Sequence, residues 1–368
     1  MWLPAVPLLV LVACGGEGGP LRIGLAGPFS QQRGESMRLA AELAAREINA
    51  AGGVQGRPIE LVFLDDSAAT ERAIQVAREF YAMPDVYAVV GHLTSGTTMA
   101  AAPIYNAGPS PLIEISPSAS SPRATQNAPY TFRVCPTDLR HGVRLAEWAR
   151  QRLNAESAAI LYLNDEYGRG VRQVFASSFR ELGGRIVTDD PYLPDLPSFL
   201  PYLERLRGEG GADVVMIAGT RAGAERILPA LRAAGISAQV IGGDGLSGLE
   251  ASDSVDASGV LISTAYLPDR TGERNAAFVA AYRAANSDRM PDHRGAGAYD
   301  IIHLLARGLA AVGPDRAKLR DWLAGVGTAT PAYDGVTGTI AFDAQRDVPD
   351  KDVVIGVARD RRLVSADR

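Results

Sequence analysis

The sequence predicts an α/β protein made of two doubly wound, Rossmann-like lobes with parallel sheets. From Leu21 onward, short runs of β-branched residues alternate with amphipathic helical windows, a pattern typical of βαβ units. The pattern occurs twice in succession, and the length of 368 residues suits two domains of ordinary size. With 46% hydrophobic and 21% charged residues, the chain has enough apolar side chains to bury a core in each domain.

The first series covers residues 21–137. A helix is predicted over residues 36–51, because Leu39, Leu43 and Ile48 share one face and a glycine pair follows. The other elements predicted here are strands at 21–25, 59–64, 87–90 and 112–115, and helices at 70–82 and 97–107.

The second series begins near Asp138 and repeats the alternation. Its predicted elements are helices at 138–152, 170–182, 198–207 and 222–234, and strands at 158–163, 185–188, 214–217 and 239–241. After residues 260–266 comes a carboxy-terminal block with helices at 275–285, 297–312 and 315–324 and short strands near 339–342 and 353–357. That block has too few strands for a sheet of its own. We therefore expect it to pack on the earlier lobes, and the chain to cross between them more than once.

Charge and cysteine usage exclude several classes of protein. The 37 basic and 42 acidic residues give a formal net charge of -5, and the two signs are interspersed, which disfavours a nucleic-acid partner. Cys14 and Cys135 cannot form a disulfide framework, and neither belongs to a CxxC pair. The four histidines are scattered, so we expect no metal site and no cofactor.

The amino terminus has the character of an export signal. Residues 2–13 form an apolar run interrupted by two prolines, too short to span a bilayer but suited to a signal peptide. The run ends in Leu11-Val12-Ala13-Cys14, which resembles the lipobox of bacterial lipoproteins, so Cys14 is the expected lipidation site and residues 14–20 a flexible tether. No basic residue precedes the run, and a buried amino-terminal helix is the alternative.

Three loops that follow predicted strands hold the candidate binding residues. Ligands of parallel sheets bind beyond the carboxyl ends of strands. One loop, residues 91–98, offers four hydroxyls including Thr94 and Ser95, where an ordinary helix cap needs one. A second, residues 116–122, is again rich in serine, and a third presents Asp244 between glycines. Neutral donors on one wall and a carboxylate on the other suit a zwitterion.

Signals for an enzyme are poor by comparison. The sequence has no GxSxG elbow, P-loop, HExxH motif or complete GxGxxG motif. Asp65-Asp66 could form an acid/base pair, but we favour a solvated or helix-capping role because no histidine or lysine is near in sequence. His92 is expected to be a packed histidine rather than a catalyst. We therefore expect no enzymatic activity.

With these loops in view, the chain resembles the periplasmic substrate-binding proteins of branched-chain amino acid ABC transporters, the Leu/Ile/Val-binding type I group. The resemblance spans about residues 21–357, and its most specific segments are Ile48–Ile59, Asp65-Asp66, Val90–Ser95, Asn164–Gly168 and Leu231–Gly235. It implies two lobes joined by a three-crossover hinge, with the ligand in the cleft between them. The expected lobe I is 21–137 plus 267–341, and the expected lobe II is 138–266 plus 342–368.

The same resemblance assigns roles to individual residues. It implies that the hydroxyls of Ser95 and Ser120 meet the ligand's carboxylate and backbone, with Thr94 and Ala119 beside them. Ser118 is expected to offer its main-chain carbonyl to the ligand's ammonium. From the other lobe, Tyr167 is expected to face the ligand and Asp244 to be the acidic partner of the ammonium. The alternatives are that Tyr167 only lines the hinge and that the serines only cap local structure.

Two departures from the family pattern bear on specificity. Thr220 stands where close members carry an aromatic residue, and Gln31-Gln32-Arg33 stands where an aromatic often covers the ligand. Both put a branched-chain aliphatic ligand in question. If Arg33 reaches the cleft, an acidic or amide ligand becomes possible; an exposed Arg33 is the alternative that we favour.

The resemblance thus implies a lipid-anchored receptor of the periplasm or cell envelope. It is expected to capture an amino acid, amide or small carboxylate and to deliver it to an inner-membrane ABC permease, acting as a monomer. A sensory module of the same fold is the first alternative. An α/β hydrolase or dehydrogenase is the second.

Overall fold

The computed structural model describes residues 18–367, and the predicted signal peptide and Cys14 lie outside this range. The first α/β series forms strands β1 (Leu21–Gly27), β2 (Ile59–Asp65), β3 (Val86–Val90), β4 (Ile113–Ser116) and β5 (Thr131–Arg133), and helices α1 (Gln32–Ala50), α2 (Thr70–Tyr81) and α3 (Ser95–Tyr105). The five strands make one parallel sheet in the order β2-β1-β3-β4-β5. This sheet is the centre of lobe I.

The second series supplies most of lobe II. Its elements are α4 (Asp138–Gln151), β6 (Ser157–Leu163), α5 (Glu166–Glu181), β7 (Arg185–Tyr192), α6 (Leu200–Gly208), β8 (Val214–Ala218), α7 (Arg221–Ala233), β9 (Gln239–Gly242) and β10 (Leu261–Thr264). The last part of the chain forms α8 (Glu273–Ala285), α9 (His293–Val312), α10 (Arg316–Ala324), the strands β11 (Tyr333–Gly335) and β12 (Gly338–Ile340), and β13 (Val354–Arg359) and β14 (Arg362–Ser365).

Lobe II has a seven-stranded sheet in the order β14-β13-β10-β9-β8-β6-β7. Strands β6 to β10 are parallel to one another, whereas β13 and β14 add to the edge in antiparallel fashion. The two α/β lobes and their parallel sheets confirm the predicted fold class.

The carboxy-terminal helices pack on lobe I, as the shortage of strands predicted. Ile301, Leu305 and Leu319 share a core with β1 residues such as Leu25. The chain therefore crosses between the lobes before α4, before α8 and before β13. Phe342 and Val348 also belong to the core of lobe I. The third crossing consequently comes after residue 348, later than the expected boundary at residue 342.

Several helices begin earlier than the apolar periodicity predicted. Helix α5 begins at Glu166 instead of residue 170, because the side chain of Asp165 caps it by accepting the Gly168 N–H at 2.7 Å. Helix α9 likewise begins at His293 instead of residue 297, after an Asp292 cap. The first turns of these two helices are polar and therefore do not contribute to the apolar periodicity. Only the capping residue shows in the sequence where each helix begins.

Candidate functional site

The loop after β3 places Ser95 at the first residue of α3. Ser95 is buried, and its Oγ accepts a hydrogen bond from the Ser121 N–H at 3.1 Å. Thr94 is the N-cap of α3, where its Oγ1 accepts the Thr97 N–H at 3.1 Å in a capping box. The Thr98 hydroxyl donates to a backbone carbonyl at 3.1 Å. The surplus of hydroxyls that suggested a ligand site thus serves local structure, and Thr94 is a helix cap.

The loop after β4 is held in place by hydrogen bonds to the buried side chain of Ser116. The Oγ of Ser116 accepts the N–H groups of Ala119 at 2.9 Å and Ser118 at 3.3 Å, and it donates to the His92 carbonyl at 2.6 Å. The Ala119 carbonyl in turn accepts Nη1 of the buried Arg133 at 3.1 Å. The two hydroxyl-rich loops are therefore held together through His92.

Ser120 lies on the buried side of this loop, next to the start of lobe II. Its carbonyl accepts the Asp138 N–H at 2.8 Å. Within residues 18–367, its Oγ makes no hydrogen bond of ordinary geometry, and neither do the carboxylate oxygens of Asp138. Burial raises the pKa of Asp138 to about 8, although the nearby Ser120 hydroxyl acts to lower it. A buried hydroxyl and a neutral carboxyl group thus have free hydrogen-bonding capacity here.

Asp244 follows β9 on the lobe II side and is 2% exposed. Tyr167 donates its hydroxyl to Asp244 Oδ1 at 2.8 Å and accepts the Gly245 N–H at 2.9 Å. From lobe I, Arg294 Nη2 donates to the Asp244 carbonyl at 3.1 Å. Tyr167 therefore orients the carboxylate, and Asp244 lies where the two lobes meet.

Two histidines face the second oxygen of this carboxylate. His293 Nε2 lies 3.5 Å from Asp244 Oδ2, and His141 Nε2 lies 3.8 Å from it. No group within residues 18–367 makes a hydrogen bond to Oδ2. Burial acts to raise the pKa of this carboxyl, but the groups around it, among them the positive charge of Arg294 and the hydrogen bond from Tyr167, outweigh that effect, so the net shift is downward. Asp244 is thus a buried anion with one unoccupied acceptor atom.

His293 connects Asp244 to the serine-rich loop after β4. His293 Nε2 lies 3.4 Å from Ser118 Oγ. Burial lowers the pKa of His293 to about 4, so its imidazole is neutral at physiological pH. The structure therefore brings Ser118 and Asp244 together around His293, and Tyr167 is bonded to the same Asp244.

An open cleft of about 1070 Å³ leads toward this cluster. His293, Gly245 and Ser247 line it, whereas Ser95, Ser120 and Asp244 do not and are buried next to it. Its other lining residues come from both lobes and are mostly polar: Gln31, Gln32, Arg33, Glu35, Ser36, Thr220, Arg221, Glu225, Glu250, Asp292 and Arg294 among them.

Arg33 and Thr220 both line the cleft but differ in burial and in hydrogen bonding. Arg33 is half-buried rather than exposed, so the alternative that we favoured from sequence is wrong. Thr220 is the N-cap of α7, with its Oγ1 accepting the Gly223 N–H at 3.4 Å.

The lobes also contact each other beside the serine loops. Glu166, at the start of α5 in lobe II, accepts the Ser121 hydroxyl at 3.0 Å and Arg123 Nη1 at 3.1 Å. Because Ser121 also donates its N–H to Ser95, the Ser95 loop is joined to lobe II through one residue.

Behind the loops lies a buried pair that the sequence did not reveal. His92 Nδ1 is 2.6 Å from Asp66 Oδ2, and both side chains are fully buried. Asp66 is therefore buried and paired rather than solvated, although its Oδ1 also accepts the Ala68 N–H at 2.9 Å just before α2. Asp65 accepts the N–H groups of Ser30 and Ser67. His92 is packed, as expected.

Sequence reasoning missed the residues that complete the site from helix starts. Asp138 and His141 come from the first turn of α4, and His293 and Arg294 from the first turn of α9. The one signal in the sequence that could have located them is Asp292, a typical N-cap residue directly before His293 and Arg294.

Two other features bear on function. Within residues 18–367, no cluster of three or more His, Cys, Asp or Glu side chains is arranged to hold a metal ion. In the same part of the chain, no helix is both long and apolar enough to cross a membrane.

The chain is similar to solute-binding proteins over nearly its whole length. The profile described as periplasmic binding protein matches residues 20–362. An amino acid binding protein of Pseudomonas aeruginosa is 29% identical over 343 residues, which cover 90% of this chain and 88% of that one. The leucine-, isoleucine-, valine-, threonine- and alanine-binding protein of the same organism is 26% identical, over 91% of this chain and 89% of that protein.

Solved structures give the same result. An ABC transporter substrate-binding protein from Desulfitobacterium hafniense in complex with Leu is 30% identical, with a TM-score of 0.81 over 94% of this chain and 99% of that one. A branched-chain amino acid transporter substrate-binding protein from Streptococcus pneumoniae in complex with isoleucine is 27% identical, with a TM-score of 0.83 over 94% and 98%. The chain therefore belongs to the periplasmic binding protein family and is the non-enzymatic substrate-binding protein of an ABC transporter.

Proposed function

We propose that this protein captures an α-amino acid between its lobes and delivers it to an inner-membrane permease. The observation that carries the proposal is Asp244, a buried carboxylate at the lobe boundary with one oxygen unoccupied by any described group. An unpaired buried charge is costly, and a cationic ligand group removes that cost. The ammonium of an amino acid has the charge and the donors to do so.

The serine loops are proposed to hold the other end of the amino acid. Ser120 has a buried hydroxyl without a partner of ordinary geometry among the described residues, and Ser118 faces the same histidine as Asp244. Ser95, whose Oγ accepts the Ser121 N–H, is proposed to donate its hydroxyl to the same carboxylate. Neutral donors can bind a carboxylate without bringing in a second charge that must itself be neutralised.

A ligand held in this way contacts both lobes. Asp244 and Tyr167 belong to lobe II, whereas Ser95 and Ser120 belong to lobe I. Binding favours the closed arrangement only by the difference between the ligand's contacts in the closed and open forms. A solute that reaches only one wall would therefore bind without closing the cleft.

The relatives support an amino acid as the ligand class. The two relatives from Pseudomonas aeruginosa are named as amino acid binding proteins, and the two solved structures hold Leu and isoleucine. The cleft of this chain is lined by polar side chains that include Arg33 and Thr220. The proposal therefore includes amino acids with polar side chains.

Cys14, which lies outside the described residues, is proposed to carry a lipid anchor that keeps the protein at the membrane of the cell envelope. Support comes from the apolar run 2–13, its Leu11-Val12-Ala13-Cys14 ending and the glycine-rich residues after it. Replacement of Cys14 by serine should move the protein from the membrane fraction to the soluble fraction. Retention of the variant in the membrane fraction would contradict the anchor.

The central test is calorimetric titration of the purified chain with the common L-amino acids, repeated on Asp244→Asn. The substitution keeps the shape of the side chain but removes the charge that meets the ammonium. Affinity for every bound amino acid should fall by at least about tenfold, since a hydrogen bond to a charged group contributes roughly 1.5–3 kcal/mol. Asp189→Asn is the control, because Asp189 pairs with Arg172 on lobe II and does not line the cleft. Unchanged affinity in Asp244→Asn would refute the proposal.

A further inference from the structure

The cleft contains a half-buried cation without a carboxylate partner. Arg33 Nε donates to Gln31 Oε1 at 2.9 Å, and within residues 18–367 no carboxylate lies within ion-pair distance of its guanidinium. Two carboxylates, Asp66 and Asp165, are near enough to interact electrostatically with Arg33, but each makes its hydrogen bonds to other groups. Asp66 is paired with His92, and Asp165 caps α5.

Two other arginines of the cleft are also at least half-buried, and each has a partner on its own helix or cap. Arg221 Nε donates to Glu225 at 2.8 Å, and Arg294 Nη1 donates to Asp292 at 2.9 Å. Arg33 differs from both. Burial, and then the positive charge of Arg294, lower the pKa of Arg33, so its surroundings do not compensate its charge.

A second donor without a partner lies on the opposite wall. Ser247 lines the cleft from lobe II and is 6% exposed, and its Oγ makes no hydrogen bond to any group of the described chain. Gln32, the neighbour of Arg33, approaches Gly248, the neighbour of Ser247: a Cβ at Gly248 would lie 3.5 Å from Gln32 Oε1. Arg33 from lobe I and Ser247 from lobe II thus both line the cleft, and their chain neighbours Gln32 and Gly248 lie close to each other.

We propose that Arg33 and Ser247 bind a second anionic group of the ligand, so that the ligand is an acidic amino acid. This inference rests on the proposed function, in which Asp244 takes the ammonium and the serine loops take the α-carboxylate. The side-chain carboxylate then points into the cleft toward Arg33. Each charge of the ligand meets an opposite charge or a neutral donor, and the half-buried guanidinium of Arg33 gains an anionic partner. An aliphatic side chain would leave Arg33 half-buried and unpaired.

The test compares L-glutamate, L-glutamine and L-leucine by calorimetric titration of the purified chain. Glutamate and glutamine differ in charge but hardly in shape, so their ratio of affinities isolates the role of Arg33. The wild-type chain should bind glutamate at least about tenfold more tightly than glutamine. Arg33→Gln should lower the affinity for glutamate by about tenfold to a hundredfold and leave glutamine within about threefold.

Two further variants keep the result interpretable. Arg38→Gln removes an arginine of the same helix that is paired with Glu42 and does not line the cleft, and it should leave the glutamate-to-glutamine ratio unchanged. Arg33→Lys keeps the charge and should retain a preference for glutamate, which separates recognition from a general effect of the substitution on folding.

Three outcomes overturn the inference: leucine or glutamine binds the wild-type chain as tightly as glutamate, Arg33→Gln weakens glutamate and glutamine equally, or Arg33→Lys loses the preference as fully as Arg33→Gln. The first outcome, combined with loss of leucine binding in Asp244→Asn, would overturn only the acidic ligand and leave the proposed function standing. Failure of the folded wild-type chain to bind any amino acid would overturn both.

Discussion

Asp244 of lobe II and His293 of lobe I face each other across the lobe boundary, with 3.5 Å between the carboxylate Oδ2 and the imidazole Nε2. Neither residue is more than 2% exposed. Burial and the neighbouring Arg294 keep the imidazole neutral, despite the carboxylate beside it. The acceptor atom of Asp244 is thus adjacent to a neutral group, and its charge remains available to a cationic ligand.

His293 should make the fold sensitive to acid. Its pKa is lowered from 6.5 to about 4 in the folded chain. As pH falls through this window, the unfolded chain takes up a proton that the folded chain does not, so the free energy of unfolding falls. In His293→Gln the free energy of unfolding should fall less steeply with decreasing pH than in the wild type, by up to about 1.4 kcal/mol per pH unit. Urea denaturation at pH 4.5, 5.5 and 6.5 measures this, and equal slopes for the two proteins would contradict it.

Asp138 should have the opposite pH dependence. Burial raises its folded pKa from 3.8 to about 8, so between these values the folded chain holds a proton that the unfolded chain has released. Stability is therefore lost as pH rises through the window. Asp138→Asn stays neutral and should gain stability relative to wild type, by up to about 1.4 kcal/mol per pH unit, between pH 5 and pH 8. A constant difference between the two proteins over that range would show that Asp138 is ionised in the fold.

Glu166 should favour the closed arrangement without contributing to the folding of either lobe. Glu166→Gln weakens the bonds from Ser121 and Arg123 across the lobe boundary. Ligand affinity should fall by about threefold to tenfold, while the melting temperature of the ligand-free protein stays the same. Arg123→Gln is the matched comparison and should have a smaller effect, because Arg123 is 63% exposed and exposed ion pairs contribute about 1 kcal/mol or less. Equal effects of the two variants would refute this role of the Ser121 bond.

The buried Asp66–His92 pair should matter for stability and for the geometry of the loops. Asp66→Ala leaves buried donors at His92 and the Ala68 N–H without their partner, and a loss of about 1–3 kcal/mol in the free energy of unfolding is expected. The neighbouring Asp65→Asn should cost about 1 kcal/mol or less, because Asp65 is half-exposed. Denaturant titration at pH 7 measures both. A loss below about 1 kcal/mol for Asp66→Ala would contradict a stabilising role of the pair.

The sequence predicted those site residues whose position depends on strand ends. Ser95, Ser118 and Ser120 follow strands β3 and β4 of the lobe I sheet, and Asp244 follows β9 of the lobe II sheet. The rule that ligands bind beyond the carboxyl ends of parallel strands was therefore enough to select them as candidates. His141 and His293 lie in first turns of helices that reach the site only through packing of the lobes. Local periodicity has no information about such contacts.

The structural roles of individual hydroxyl and carboxylate groups could not be predicted from the sequence either. Thr94 and Thr97 cap α3, and Asp66 pairs with a histidine 26 positions away. A run of hydroxyls looks the same whether it binds a ligand or satisfies backbone N–H groups. Only the three-dimensional arrangement distinguishes these two uses.

The three crossings between lobes have a consequence for biosynthesis. Strands β13 and β14 complete the lobe II sheet although they are the last to leave the ribosome, and α9, also late, completes the core of lobe I around α1. Neither lobe can finish folding during translation of the first half of the chain. Nascent chains must keep both partly formed sheets from aggregating until almost the whole polypeptide has been synthesised.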